Sequence, residues 1–108
     1  MSDERDPIAR IAHAVRPVLQ RYGVRRAVLF GSFARGRNSR RSDVDLIVIK
    51  DTEQRFFARY DGLLQELQAT LLPHDVDLLI YTPQEFEAIK HRSFIARALG
   101  EGRVIYEH

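Results

Sequence analysis

Two segments, DVDLIVI (residues 43–49) and DVDLLIY (75–81), set the terms on which this chain can fold. Each opens on Asp-Val-Asp and then runs apolar to its end. Along 44–49 the apolar residues fall on both faces of an extended chain, which predicts a central strand covered on both sides. Helices supply such cover, so an α/β domain is expected, with a small mixed sheet and flanking helices. Carboxylates weaken strands and resist burial. Their recurrence at the mouths of the most hydrophobic segments asks for a reason other than folding.

The rest of the chain reads in the same terms. Asp6-Pro7 is an N-cap followed by proline at the first helical position, and Ile8, Ile11, Ala12, Val15 and Leu19 recur at helical spacing. Pro17 is expected to kink or split that helix, and Gly23 to end it. RAVLF (26–30) is a short strand, Gly31-Ser32 a sharp turn, and Ser32 the cap of a one-turn helix (33–35) closed by Gly36. Residues 54–72 have helical periodicity, with Phe57, Leu63, Leu64, Leu67 and Leu71 near one stripe and Pro73 as the stop. Thr82-Pro83-Gln84-Glu85 has the form of a capping box and launches a helix to about residue 91. A short helix over 94–99 and an edge strand over 103–107 complete the order αβαβαβααβ.

Length and charge narrow the function classes. A chain of 108 residues is expected to form one domain, 1–108, able to bury a core without staples. Basic and acidic residues nearly balance, 17 against 15, which gives no global pull toward nucleic acid or membrane. There is no cysteine, so disulfides and thiolate metal sites are excluded. The start, MSDERDPIAR, lacks the apolar stretch of a secretory signal, and no apolar run reaches membrane-spanning length. A cytoplasmic protein is the expectation.

Side chains two apart in a strand share a face, with Cα atoms about 6.6 Å apart. Asp43 and Asp45 can therefore converge at the end of one strand. Hard cations such as Mg²⁺ take oxygen ligands, and two-metal phosphoryl-transfer sites use sets of such carboxylates. A third, Asp77 or Asp75, becomes available if the later strand pairs beside the first. Gly31-Ser32 lies where a strand turns into a helix, a place where glycine admits a phosphate to the backbone and the serine hydroxyl can bind it. A phosphate cradle beside a metal cage fits a nucleoside triphosphate with its magnesium.

Gly31-Ser32, ten residues, then Asp43-x-Asp45 resembles the signature of the DNA polymerase β-like nucleotidyltransferases. The string GSFARGRNSRRSDVDLIVI, with VDLLIYTPQEF and ARALGEGRVIYE further on, is similar to the minimal nucleotidyltransferase (MNT) family. The resemblance implies the polymerase β-like fold, with Gly31 and Ser32 on the triphosphate of ATP and Asp43, Asp45 and Asp77 as catalytic residues binding two Mg²⁺ ions. It implies in-line attack of a hydroxyl on the α-phosphate, with Asp77 helping to deprotonate the acceptor. MNT proteins of this size are commonly antitoxins paired with a HEPN-type RNase toxin, onto which they transfer AMP at a tyrosine. Oligomeric state is left open between a homo-oligomer, for which the edge strand 103–107 offers a pairing surface, and a hetero-oligomer with such a toxin.

Other side chains carry blander readings. Asp75 reads as a solvated residue ahead of its strand. Arg35, Arg37, Arg40 and Arg41 form a basic loop open to triphosphate, to a partner, or to solvent alone. His13, His74, His91 and His108 lack ligand spacing and read as surface or capping residues. The Arg103-x4-His108 spacing matches that of HEPN RNases, but on an edge strand it is a coincidence. Tyr22, Tyr60, Tyr81 and Tyr106 read as packing residues. Two alternatives stand beside the enzyme: a catalytically silent antitoxin that neutralises by steric binding, and a nucleic-acid module using the arginine loop.

Overall fold

The computed structural model describes residues 6–39 and 41–108; the acidic start and Arg40 of the basic loop lie outside them. Helix α1 (Pro7–Arg21) is launched by Asp6, whose carboxylate accepts from the Ile8 N–H at 2.9 Å. It does not split at Pro17 but runs on continuously. Proline there removes the bond to the carbonyl of His13, which lies on an exposed stretch of the helix where water can serve it. Strand β1 (Val24–Phe30) leads into a single turn, α2 (Gly31–Ala34), with Phe30 rather than Ser32 at its N-cap position.

Strand β2 (Val44–Lys50) is followed by a 3₁₀ turn (Ala58–Tyr60), helix α3 (Leu63–Thr70) and strand β3 (Val76–Tyr81). The expected helix over 54–72 is thus cut to its second half. Gly62 at φ +78° breaks it, and a Cβ there would meet the Tyr22 hydroxyl at 2.5 Å. Phe57 leaves the predicted stripe and is 83% exposed, while Leu63, Leu67 and Leu71 are buried. The Thr82–Glu85 capping box forms as read and opens α4 (Pro83–Ile89). Helix α5 (Ser93–Glu101) runs through Gly100, and β4 (Arg103–Glu107) lies at the sheet edge.

The sheet has the order β3-β2-β1-β4, with β2 parallel to β3 and the other pairs antiparallel. Alternation along β2 sends Val44, Leu46 and Val48 to one face, against α1 and α3, where they join Val15, Leu19, Leu63 and Leu67. Ile47 and Ile49 face the other way, onto Phe86, Ile95 and Ala98 of α4 and α5. Both faces of the central strand are covered, as its sequence requires. Among the described residues no helix is long and apolar enough to cross a membrane.

Among the described residues Arg59 is the exception in the core, a charged side chain only 7% exposed. Its guanidinium forks onto both Glu85 oxygens, donates to the Gln54 carbonyl at 3.0 Å and reaches the Ile80 carbonyl at 3.4 Å. Glu85 also closes the capping box by accepting from the Thr82 N–H at 2.9 Å. One carboxylate thus fixes both the start of α4 and the loop ahead of α3.

Candidate active site

Asp45 and Asp77 share a face because their strands run parallel and in register, Asp45 opposite Asp77. Both project to the α5 side, the face that also holds Ile47 and Phe30. Gly31 stands beside them. Its φ of +74° is open to glycine at little cost, and a Cβ there would overlap Asp45 Oδ2 and lie 3.0 Å from Asp45 Cγ. Glycine is therefore required twice over at this position, by backbone conformation and by the closeness of a carboxylate.

These residues line a cleft of about 730 Å³ between the sheet and α5. Arg35, Arg97 and Glu101 bound it on the helix side, with Arg35 Nη1 donating to Glu101 Oε2 at 3.0 Å and Arg97 Nε 3.5 Å from Glu101 Oε1. The arginines hold the Glu101 carboxyl below its usual range, the Arg35 hydrogen bond foremost. Asp45 moves the other way. Burial first, then the hydrogen bond and charge of Asp77, then the charge of Asp43 push its carboxyl up to about 6, with Arg35 offsetting part of the rise.

That shift tests the site against a divalent cation. Hard oxygen donors crowded so that one resists ionisation form the donor set a divalent ion relieves, and the chain has no softer sulfur ligand from cysteine to offer. The residues fit such an ion. The pair is not a finished cage, however: among the described residues no three His, Cys, Asp or Glu side chains are gathered as a metal site.

Of the residues singled out in the sequence, Gly31, Asp45 and Asp77 meet on the cleft wall. Ser32 is half-buried in the first turn of α2, its carbonyl accepting from Arg37 N–H at 2.9 Å. Asp43 is exposed just before β2, near enough for its charge to act on Asp45. Asp75 is exposed as read, and its backbone carbonyl accepts from Val44 N–H at 2.9 Å. His74, read as a surface or capping residue, is half-buried and serves a backbone carbonyl. Its Nδ1 is 2.8 Å from the Ser42 carbonyl, so Nδ1 carries the proton, and its ring stands edge-on to Phe33 at 5.2 Å. Phe94, Arg97 and Glu101 are the site residues the sequence reading missed; their i, i+3, i+7 spacing on a helix was the available signal.

A four-stranded sheet of this order thus carries two register-paired carboxylates and a glycine turn at one rim. Residues 13–108 match the family model described as polymerase beta, nucleotidyltransferase, and the chain belongs to that family. Two proteins of Methanocaldococcus jannaschii are similar to it. "Putative protein adenylyltransferase MJ0435" is 35% identical over 74 residues, 68% of this chain and 77% of that protein. "Putative protein adenylyltransferase MJ0604" is 28% identical over 85 residues, 77% and 79% of the two chains. Among solved structures, a toxin-antitoxin crystal structure with AMP-PNP aligns at TM-score 0.65 and 23% identity, over 90% of this chain and 73% of that one. A structure of tri-AMPylated Shewanella oneidensis HEPN toxin with MNT antitoxin aligns at TM-score 0.58 and 20% identity, over 91% and 71%. At these identities the structural likeness speaks for the fold.

Proposed function

We propose that this chain, as a single minimal domain over 1–108, transfers AMP from ATP to a hydroxyl of a partner protein. The observation that carries the reading is the juxtaposition of Asp45, Asp77 and the Cβ-free Gly31 on one cleft wall. The acceptor oxygen attacks the α-phosphorus, the bond to the β-phosphate bridging oxygen breaks, and pyrophosphate leaves. Asp77, which is exposed, takes the hydroxyl proton. Gly31 lets the triphosphate come close to the backbone, Ser32 adds a hydroxyl, and Arg35 moves from Glu101 to a phosphate oxygen. Asp45 and Asp77, with Asp43 from the segment before β2, would hold Mg²⁺, which supplies charge neutralisation for the leaving pyrophosphate. Positioning and electrostatics supply most of the rate.

The partner is a HEPN-type RNase toxin and the acceptor a tyrosine, with this chain as its antitoxin. Support comes from the names of the two relatives, from the toxin-antitoxin assemblies that share the fold, and from the motif itself. A cytoplasmic setting goes with that pairing. The test is incubation of partner, ATP and Mg²⁺ with wild type, Asp43→Asn or Asp45→Asn, followed by intact mass of the partner. AMP added by wild type and by neither variant is the expected result; an unmodified partner with wild type removes the reading.

One observation favours a second reading. The carboxylates are not gathered into a complete metal cage among the described residues, which suits a silent antitoxin acting by steric binding. Undiminished neutralisation by Asp45→Asn would select it.

A further inference from the structure

Helix α5 gives one whole face to the cleft. Phe94, Arg97, Ala98 and Glu101 follow at i, i+3, i+4 and i+7, and all four line it. The adjacent face of α5 carries Ile95, which packs on the sheet. Along the stripe, chemistry changes from aromatic at the helix start to charged at its end. Seven residues of helix rise about 10 Å, long enough to seat a ligand with two unlike ends.

A lone exposed aromatic on a helix calls for no explanation. Phe94 differs because of where it lies. It is 62% exposed, yet it borders the same cleft as Asp45 and Asp77, with Leu79 across from it on β3. Its ring is held perpendicular to Phe30 at 6.0 Å between centroids, and Phe30 immediately precedes Gly31. Phe30 thus links the open ring to the glycine turn. Along α5 the cleft wall is amphipathic: Phe94 stands at the helix start, Arg97 and Glu101 further on, with Arg35 bonded to Glu101.

The geometry points to Phe94 as the stacking platform for the base of the nucleotide, with Phe30 and Leu79 completing an apolar base subsite. This rests on the nucleotidyltransfer reading above and adds to it where the heterocycle goes. Phosphates need the charged end, and a flat, weakly polar ring is the part of a nucleotide that gains from the other. Aromatic stacking accepts any base, since every base has a π-face. Phe94 is then a binding residue that touches substrate without touching the reacting atoms.

The test compares two probes in the presence of Mg²⁺: ATP, and inorganic tripolyphosphate, which has the phosphates without the base. Equilibrium binding is measured by calorimetry for wild type, Phe94→Ala and Phe94→Trp. Phe94→Ala is expected to weaken ATP about thirty-fold, the middle of the range for one stacked base, and to leave tripolyphosphate unchanged. Phe94→Trp is expected to bind ATP at least as tightly as wild type. Unchanged ATP binding by Phe94→Ala overturns the subsite and gives the apolar end to the acceptor. Equal weakening of both probes also overturns it, since Phe94 would then act only on the shape of the phosphate end. Failure of both probes to bind wild type is a separate result, which removes the nucleotide reading and the subsite with it.

Discussion

Asp45 and Asp77 face each other across a parallel strand pair, and Gly31 abuts the first of them so closely that no side chain fits between. Two acids are thereby held as neighbours on a half-covered surface, where burial and then Asp77 make the Asp45 charge costlier. The arrangement works against the stability of the fold.

Asp45→Asn removes one of the repelling charges and keeps the shape. The variant is expected to melt at or above the wild-type temperature near neutral pH in metal-free buffer, while AMP transfer falls more than about 100-fold, beyond what an outer-shell partner costs. Differential scanning calorimetry beside a transfer assay checks both. A variant that melts lower would show that the pair stabilises the fold.

Gly31→Ala is expected to cost about 1–2 kcal/mol for the left-handed backbone alone, and more from collision with Asp45. The collision can be separated from the backbone cost. In a double-mutant cycle with Asp45→Ala, the second substitution should recover the part of the melting temperature due to overlap and none of the activity. Additive losses would mean that the two sites do not touch.

His74 joins the pieces of the site from behind. Its Nδ1–H bonds the carbonyl just before Asp43, and its ring meets Phe33 of the glycine turn. His74→Ala should lower stability by about 1–2 kcal/mol through the lost bond and ring contact. His74→Asn, whose amide can stand where Nδ1 does, should restore part of the stability and most of the KM for ATP. Equal KM values in both variants would deny it a positioning role.

Glu85 sets an acid limit. The Arg59 hydrogen bond first, then the backbone bond at Thr82, hold its carboxyl down at about 2, against 4.5 unperturbed. A depressed folded-state value means stability that is complete above pH 4.5 and lost as pH falls toward 2. Glu85→Gln should flatten that limb of the urea-stability profile. Glu85→Ala should cost about 2–3 kcal/mol at neutral pH, the low side for a paired buried arginine because the Glu85 side chain is 43% exposed.

The order of elements was legible because its signals are local. Asp6-Pro7, the Thr82–Glu85 box and the two-sided apolar run of β2 each announce an element within a few residues. Gly62 was passed over because a single glycine in a helical pattern reads as tolerated, and only contact with Tyr22 shows why the helix begins there. Asp45 and Asp77 could be nominated from the repeated DVDL, but their pairing depends on a parallel register that no short stretch encodes. The α5 stripe shows a helical spacing but not what it faces, and the His74 clamp leaves no local sign, for the same reason. Each is defined by what stands opposite it.

That dependence has a bearing on how the protein comes into being. The strands bearing Asp45 and Asp77 meet only after the chain has laid down the crossover between them, and contacts so remote in sequence are among the slower ones to close. A fragment ending before β3 would carry the glycine turn and the first acids yet hold no working pocket. Competence for chemistry should therefore arrive with completion of the sheet, in one step, and not accumulate as the chain grows.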